Sequence, residues 1–186
     1  MKSNINMKEN ILNVAINLIT KNGIKNTSLS DIAKTAGISK GTLYYHYASK
    51  DDLIFDIADL HLKVITDAVL DCVYSIEHKS SKDDLINAIM RKISAIGSTG
   101  RIHMYLLCEA ITGNDPLRER IKLKYIQWRT TLQKEINKYL HENIDNSEAL
   151  SFLLISIVDG LVVQSILKTE EIPFEKVASF LVDKWI

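Results

Sequence analysis

Between Thr27 and Leu53 the chain reads TSLSDIAKTAGISKGTLYYHYASKDDL, and the side chains there with most chemistry to offer are Lys40, Thr42, Tyr44, Tyr45 and His46. A tyrosine brings a flat ring that suits a thymine methyl or a sugar, and a hydroxyl that suits a phosphate. A lysine reaches a guanine edge or a phosphate. Gly41 stands among them. A glycine inside a helix costs about 1 kcal/mol relative to alanine, so it makes sense where another backbone must approach closely. The set points to a face that meets DNA. A small helical hairpin with exposed aromatics is the alternative from the residues alone.

The elements that would hold this face are legible from caps and turns. Ser28 and Asp31 are spaced as a capping pair for a helix that stops at Gly37. Ser39 starts a second helix of about two turns, and Ile38 stands before that cap, five residues ahead of Leu43, as in a hydrophobic staple. The tight turn Ala36-Gly37-Ile38 between them makes a helix-turn-helix. Ile32, Ala33, Leu43 and Tyr47 are expected to face inward against a preceding helix over about 7–22, whose Ile11, Leu12, Ala15, Leu18 and Ile19 share one side. A fourth helix opens at Ser49, with Asp52 three residues on, and runs to about Glu77. Further helices are expected over 80–96, 101–111, 115–141, 147–168 and 173–185, separated by Gly97–Gly100, by Thr112–Asn114 with Asp115 as cap and Pro116 at the first position, and by Pro173. The fold class is therefore all-α with about nine helices: a three-helix reading domain at 1–50 and a helical body at 51–186.

Composition narrows the function classes. Residues 1–50 carry seven lysines against Glu9 and Asp31, a net +5, so the overall charge of zero hides a basic first quarter on a body of −5. That split suits one face meeting a polyanion. His46, His61, His78, His103 and His141 show no ligand-pair spacing, so no metal is expected. There is no Glu-x-x-His set, no nucleophile with a base and no phosphate-binding glycine loop, so neither an enzyme nor a cofactor is expected. Cys72 and Cys108 lie in apolar helical segments without C-x-x-C spacing and are expected as buried free thiols in a reducing compartment. Met1 to Asn10 lacks the apolar run of a signal peptide, and Phe152 to Leu167 is read as too short to span a bilayer, so the expected place is the cytoplasm.

The order T-S-L-x-D-I-A-x-x-A-G-I-S-K-G-T-L-Y-Y-H-Y-x-S-K-D-D-L strongly resembles the TetR family of bacterial regulators, closely over about the first 55 residues. Length and helical content agree with that family beyond them. The resemblance implies a DNA-binding head, a dimer formed by the last two helices, and a small effector that weakens DNA binding. Carried over residue by residue, it places Thr27 and Ser28 at phosphate, Lys40, Gly41, Thr42 and Tyr44 in the major groove, and Tyr45, His46 and Lys50 on the DNA backbone. Ser30 departs from the arginine many members carry, which weakens any contact from that helix.

The C-terminal body carries two further expectations. The eighth helix is apolar nearly all round, with Leu150, Leu153, Leu154, Ile157, Val158 and Leu161 on one side and Phe152, Ile155, Val163 and Ile166 around the rest. Such a helix needs burial on two sides, so with Val177, Phe180, Leu181 and Trp185 of the ninth it is expected to form a homodimer on a palindromic double-stranded operator. Met90, His103, Met104, Cys108, Glu109, Tyr125 and Trp128 mix deformable apolar walls with polar handles and are expected to line a small-molecule pocket; a packed core is the alternative. Glu109 suits a ligand donor or a partner for Arg101. Asp159-Gly160 reads as a structural pair at a close helix approach, and Lys122, Lys124 and Arg129 as a solvated face.

Overall fold

Apolar residues at helical spacing and local caps give eight helices in a computed structural model that describes residues 2–77, 99–139 and 144–185. They are α1 (Lys2–Asn22), α2 (Leu29–Thr35), α3 (Lys40–His46), α4 (Lys50–Glu77), α5 (described over 99–111), α6 (Asp115–Tyr139), α7 (Ile144–Leu167) and α8 (Phe174–Trp185). Among the described residues there is no strand, and the all-α class holds. The helix expected over 80–96 lies outside the described residues, as does Met90.

The chain divides into two compact units, one of residues 1–62 with 101–118 and one of 63–100 with 119–186. The expected boundary after residue 50 falls inside the first. That unit has a core of Ile11, Ala15 and Ile19 from α1, Ile32 and Ala33 from α2, Leu43 from α3, and Leu53, Ile54 and Ile57 from α4, all nearly inaccessible. From α5, Ile102, Leu106 and Ala110 are buried in the same unit. The inward residues expected of the helix-turn-helix are thus inward. Burial of the larger aliphatic side chains, roughly 1.5–3 kcal/mol each, holds the short α2 and α3 against α1 and α4.

In the second unit Leu150, Leu161 and Val162 of α7, Trp128 of α6, and Ala178 and Leu181 of α8 are buried. Two sequence expectations change here. Gly97–Gly100 was expected as a break, yet residues 99 and 100 are already helical, and a methyl on Gly100 would come within 3.0 Å of Val162 Cγ1. This glycine serves close packing. The stretch expected to be too short for a bilayer extends further back, and Ser147–Leu167 is 21 residues, long and apolar enough to cross a membrane by length and composition. Its Phe152, Leu153, Val163 and Leu167 are exposed in the single chain.

The connection between α5 and α6 is capped one residue earlier than expected. Asn114 Oδ1 accepts from Leu117 N at 3.1 Å, which makes Asn114 the cap and puts Pro116 second in α6, where a missing N–H still breaks no helical bond. Cys108 is a free thiol but exposed, not buried; Leu106 and Ala110 take the inward side of α5 and leave the position between them facing out. The Cys72 side chain lies outside what is described.

Candidate nucleic-acid interface

The pose of α2 is set by local bonding. Ser28 Oγ accepts from Asp31 N at 3.1 Å and donates to Asp31 Oδ2 at 2.6 Å, while Ser28 N donates to the same carboxylate oxygen at 3.0 Å. These bonds from the Ser28 hydroxyl and amide hold the Asp31 carboxyl below its usual range. The far end of α2 is closed by Ile38 N bonding to Ala33 O at 3.0 Å and Gly37 N to Lys34 O at 3.3 Å, with Gly37 at φ +69°. This is the Schellman arrangement, and it needs a residue at ease in the left-handed region.

Helix α3 follows at once. Ser39 Oγ accepts from Thr42 N at 3.0 Å and shares a second hydrogen bond with Thr42 Oγ1 at 2.9 Å. Leu43 and Tyr47 point inward, and Tyr47 Oη donates to Asp56 Oδ2 at 3.1 Å. Lys8 Nζ lies 2.6 Å from that carboxylate and 5.5 Å from the centre of the Tyr47 ring. Burial pushes the Tyr47 hydroxyl pKa up, and the Asp56 charge adds to this. A buried, neutral, doubly held tyrosine thus fixes the end of α3 to α4 and α1. Sequence spacing did not reveal Lys8 or Asp56 as its partners.

The opposite side of α3 is open. Lys40 and Gly41 are exposed, Tyr44 is 54% and Tyr45 76% accessible, and Thr42 and His46 are half-buried. The Tyr45 and His46 rings meet edge to face with centroids 5.2 Å apart. A methyl on Gly41 would find only Ser39 Oγ, at 3.7 Å, so nothing inside the described chain demands a glycine there.

Two expected contacts are placed otherwise. The Thr27 side chain is buried, and its hydroxyl donates to Gly23 O at 2.9 Å. It closes the turn and is not presented to a phosphate. Lys50 Nζ donates to Ile24 O at 2.6 Å and is half-buried at the start of α4. Ser28 is exposed, although its hydroxyl proton is directed at Asp31.

Residues 11–57 match the family model described as bacterial regulatory proteins, tetR family. These residues form a TetR-family DNA-binding head. The chain is 42% identical over 53 residues to the transcriptional regulator AcrR of Shigella flexneri, a match that spans 28% of this chain and a quarter of that one. It is 27% identical over 155 residues to IcaR of Staphylococcus epidermidis, a negative transcriptional regulator of the biofilm operon icaADBC, covering 80% of this chain and 79% of that one. Its fold matches the transcriptional regulator FadR of Bacillus subtilis, solved in complex with stearoyl-CoA, with a TM-score of 0.73 at 16% identity over 96% of this chain and 98% of that one. The chain is accordingly a DNA-binding transcriptional regulator with a helix-turn-helix formed by α2 and α3.

The residues expected to bind a ligand are distributed between the two units. His103, Met104, Cys108 and Glu109 belong to the first, with His103 buried, Met104 and Glu109 half-buried and Cys108 exposed. Tyr125 and Trp128 belong to the second, their ring centroids 5.1 Å apart. Tyr125 Oη donates to Asp159 Oδ2 at 3.0 Å, and Trp128 Nε1 donates to Thr66 Oγ1 at 2.8 Å. Burial and the Asp159 charge push the Tyr125 hydroxyl pKa up. The Asp159 carboxylate thus accepts a hydrogen bond from α6. At Gly160 beside it, no atom of the described residues lies within 4 Å of where a methyl would sit, so the close helix approach expected there is not made among them. Of the expected solvated face only Lys122 is exposed, bonding Glu119 at 3.0 Å; Lys124 and Arg129 are half-buried, and Arg129 bonds Glu148 at 3.3 Å and lies 4.6 Å over the Phe152 ring.

Proposed function

We propose that this regulator binds a palindromic double-stranded operator as a homodimer, represses transcription from the cytoplasm, and is released by a small-molecule effector. The observation that carries the DNA-reading part is the α3 face: exposed Lys40, Tyr44 and Tyr45 around a glycine that the protein's own packing does not require. In the complex Lys40, Gly41, Thr42 and Tyr44 meet base edges in the major groove, while Ser28, Tyr45 and His46 meet the phosphodiester backbone. Residues 1–50 act as the DNA-binding domain and residues 51–186 as the effector-binding and dimerisation domain.

The dimer reading is supported by α7 and α8, which leave Phe152, Leu153, Val163, Leu167 and Phe180 exposed in the single chain, apolar side chains that a partner helix would cover. The bond from Tyr125 to Asp159 within the apolar stretch favours a protein partner for α7 over lipid, since an ionisable group is costly in hydrocarbon. A small-molecule effector must bind one of two conformations more tightly than the other, because equal affinity shifts nothing. The stearoyl-CoA held by FadR makes an effector with a long apolar part a rational first screen.

The test is selection of duplexes from a random pool by the full-length protein, followed by footprinting. A two-fold symmetric footprint lost in Tyr44→Ala is the expected result. Recovery of no preferred sequence would remove the reading.

A further inference from the structure

Helix α3 is only seven residues long, and of these Leu43 alone is buried. Burial of one apolar side chain fixes how deep a helix sits, but it is non-directional and leaves rotation and slide along the axis free. The directional hold comes one residue past the helix. Tyr47 closes α3 by donating its N–H to Leu43 O at 2.9 Å, and its buried hydroxyl donates to Asp56 Oδ2 at 3.1 Å. Lys8 Nζ of α1 lies 2.6 Å from that same oxygen. One carboxylate oxygen in the second turn of α4 thus takes the end of α3 by a hydrogen bond and α1 by an ion pair. The charge of Asp56 opposes a polyanion, next to a stretch of 50 residues with a net charge of +5.

We propose that Asp56 is a positioning residue for DNA recognition, holding α3 through the Tyr47 hydroxyl so that Lys40, Thr42 and Tyr44 meet the groove in one pose, while Lys8 keeps the carboxylate in place. The inference rests on α3 being the reading helix and adds residues that act through it. Hydrogen bonds to base edges weaken steeply with angle and distance, so a small rotation of α3 costs the correct sequence more than any other. The attraction between basic side chains and phosphates is longer-ranged and tolerates the same rotation. The sign of the Asp56 charge separates positioning from plain electrostatics. If the carboxylate is only a charge, removing it strengthens binding to every duplex. If it holds α3, removing it weakens the correct duplex alone.

The experiment titrates the full-length protein with a duplex it selects from a random pool and with a scrambled duplex of equal length. Asp56→Ala and Tyr47→Phe are each expected to weaken the selected duplex about tenfold, the scale of one hydrogen bond to a charged group. The scrambled duplex is expected to bind Tyr47→Phe as tightly as the parent and Asp56→Ala slightly more tightly. Asp56→Asn keeps an acceptor for the Tyr47 hydroxyl and is expected to retain most of the parent's preference. The double variant Asp56→Ala with Tyr47→Phe is expected to be no worse than either single one, because both act through one bond. Tyr47→Phe removes a hydroxyl and keeps the ring, so it carries the test if Asp56→Ala does not fold. Hydrogen exchange of the 43–47 amides in the free protein is expected to quicken in both, which reads the hold without DNA. Tyr44→Ala in the same titration reports on α3 itself, and a Tyr44→Ala protein with the parent's preference removes the reading helix and the proposal together. Lost preference in Tyr44→Ala beside unchanged preference in folded Asp56→Ala and Tyr47→Phe, or equal tightening of both duplexes in Asp56→Ala, overturns the positioning role alone.

Discussion

Nε2 of His61 on α4 lies 3.1 Å from Nδ1 of His103 on α5, and both imidazoles are buried. One ring must donate and the other accept, so the pair has no place for a full set of protons. Burial, with the neighbouring His103 next in size, pulls the His61 pKa down from 6.5 to about 4. A histidine with a depressed folded pKa favours folding above its unfolded value. That stability is lost as the pH falls from 6.5 toward 4. Between pH 7.5 and pH 5 the loss is expected to be about 2 kcal/mol, read by urea denaturation at each pH. His61→Phe should flatten that dependence, and an acid sensitivity identical in the variant would show that the pair is not its source.

Gly37 and Gly41 stand on neighbouring elements, and the effects of alanine at the two should have opposite signs. At Gly37 a methyl meets no atom within 4 Å, but φ is +69°, so alanine is strained by conformation alone. A loss of about 1–2 kcal/mol is expected in thermal or urea unfolding. At Gly41 there is room and ordinary helix, so alanine should stabilise by up to about 1 kcal/mol. The same Gly41→Ala protein should bind its selected duplex more weakly, since the added methyl stands where DNA backbone or base edges approach. A Gly41→Ala protein that is both more stable and equally tight on DNA would remove this face from the contact surface.

The devices that could be read in the sequence are those whose partners lie three to five residues apart. Ser28 with Asp31, Ser39 with Thr42, and Gly37 after α2 are bonded within the motif that reveals them. The inward side of α3 also followed from spacing. What was not legible depends on tertiary placement: Lys50 reaches Ile24, His61 meets His103 across 42 positions, and Tyr105 covers Gly23. No local pattern marks such pairs. Thr27 was misplaced because resemblance transfers a residue's position in a motif, whereas its hydroxyl goes to whichever acceptor the turn supplies. Cys108 was misjudged from its apolar neighbours, although a step of about 100° per residue turns it away from Leu106 and Ala110.

Tyr44 is the clearest single probe of sequence reading. Its ring is 54% accessible on the outer side of α3, and the neighbouring Leu43 holds that helix in place from within. Tyr44→Ala should leave folding nearly unchanged and cost about 1–3 kcal/mol of binding on the selected duplex, with little change on a scrambled one. Fluorescence anisotropy with both duplexes measures this. Equal losses on both would reassign Tyr44 to the phosphate backbone.

The dimer is expected to close along one stripe of α7. Phe152, Ser156, Gly160, Val163 and Leu167 recur three or four residues apart and so share a side of the helix. Phe152, Ser156, Val163 and Leu167 are exposed, and the space where a Gly160 side chain would sit is empty to 4 Å. Small residues at the middle of an apolar stripe let two helices cross closely, with larger side chains packing on either side. In a two-fold dimer each residue of the stripe counts twice. Gly160→Leu should therefore hold the helices apart and weaken self-association by about a hundredfold or more, the equivalent of one well-buried leucine misplaced in each protomer. Phe152→Glu should do the same by placing like charges at the interface. Sedimentation equilibrium over a micromolar concentration series measures the change, and binding to a full palindrome should fall toward that of a half-site. Because no atom of the described residues lies within 4 Å of where a Gly160 methyl would sit, the monomeric variant is expected to keep its helical content and melting behaviour. A Gly160→Leu protein that self-associates as tightly as the parent would move the interface to another surface.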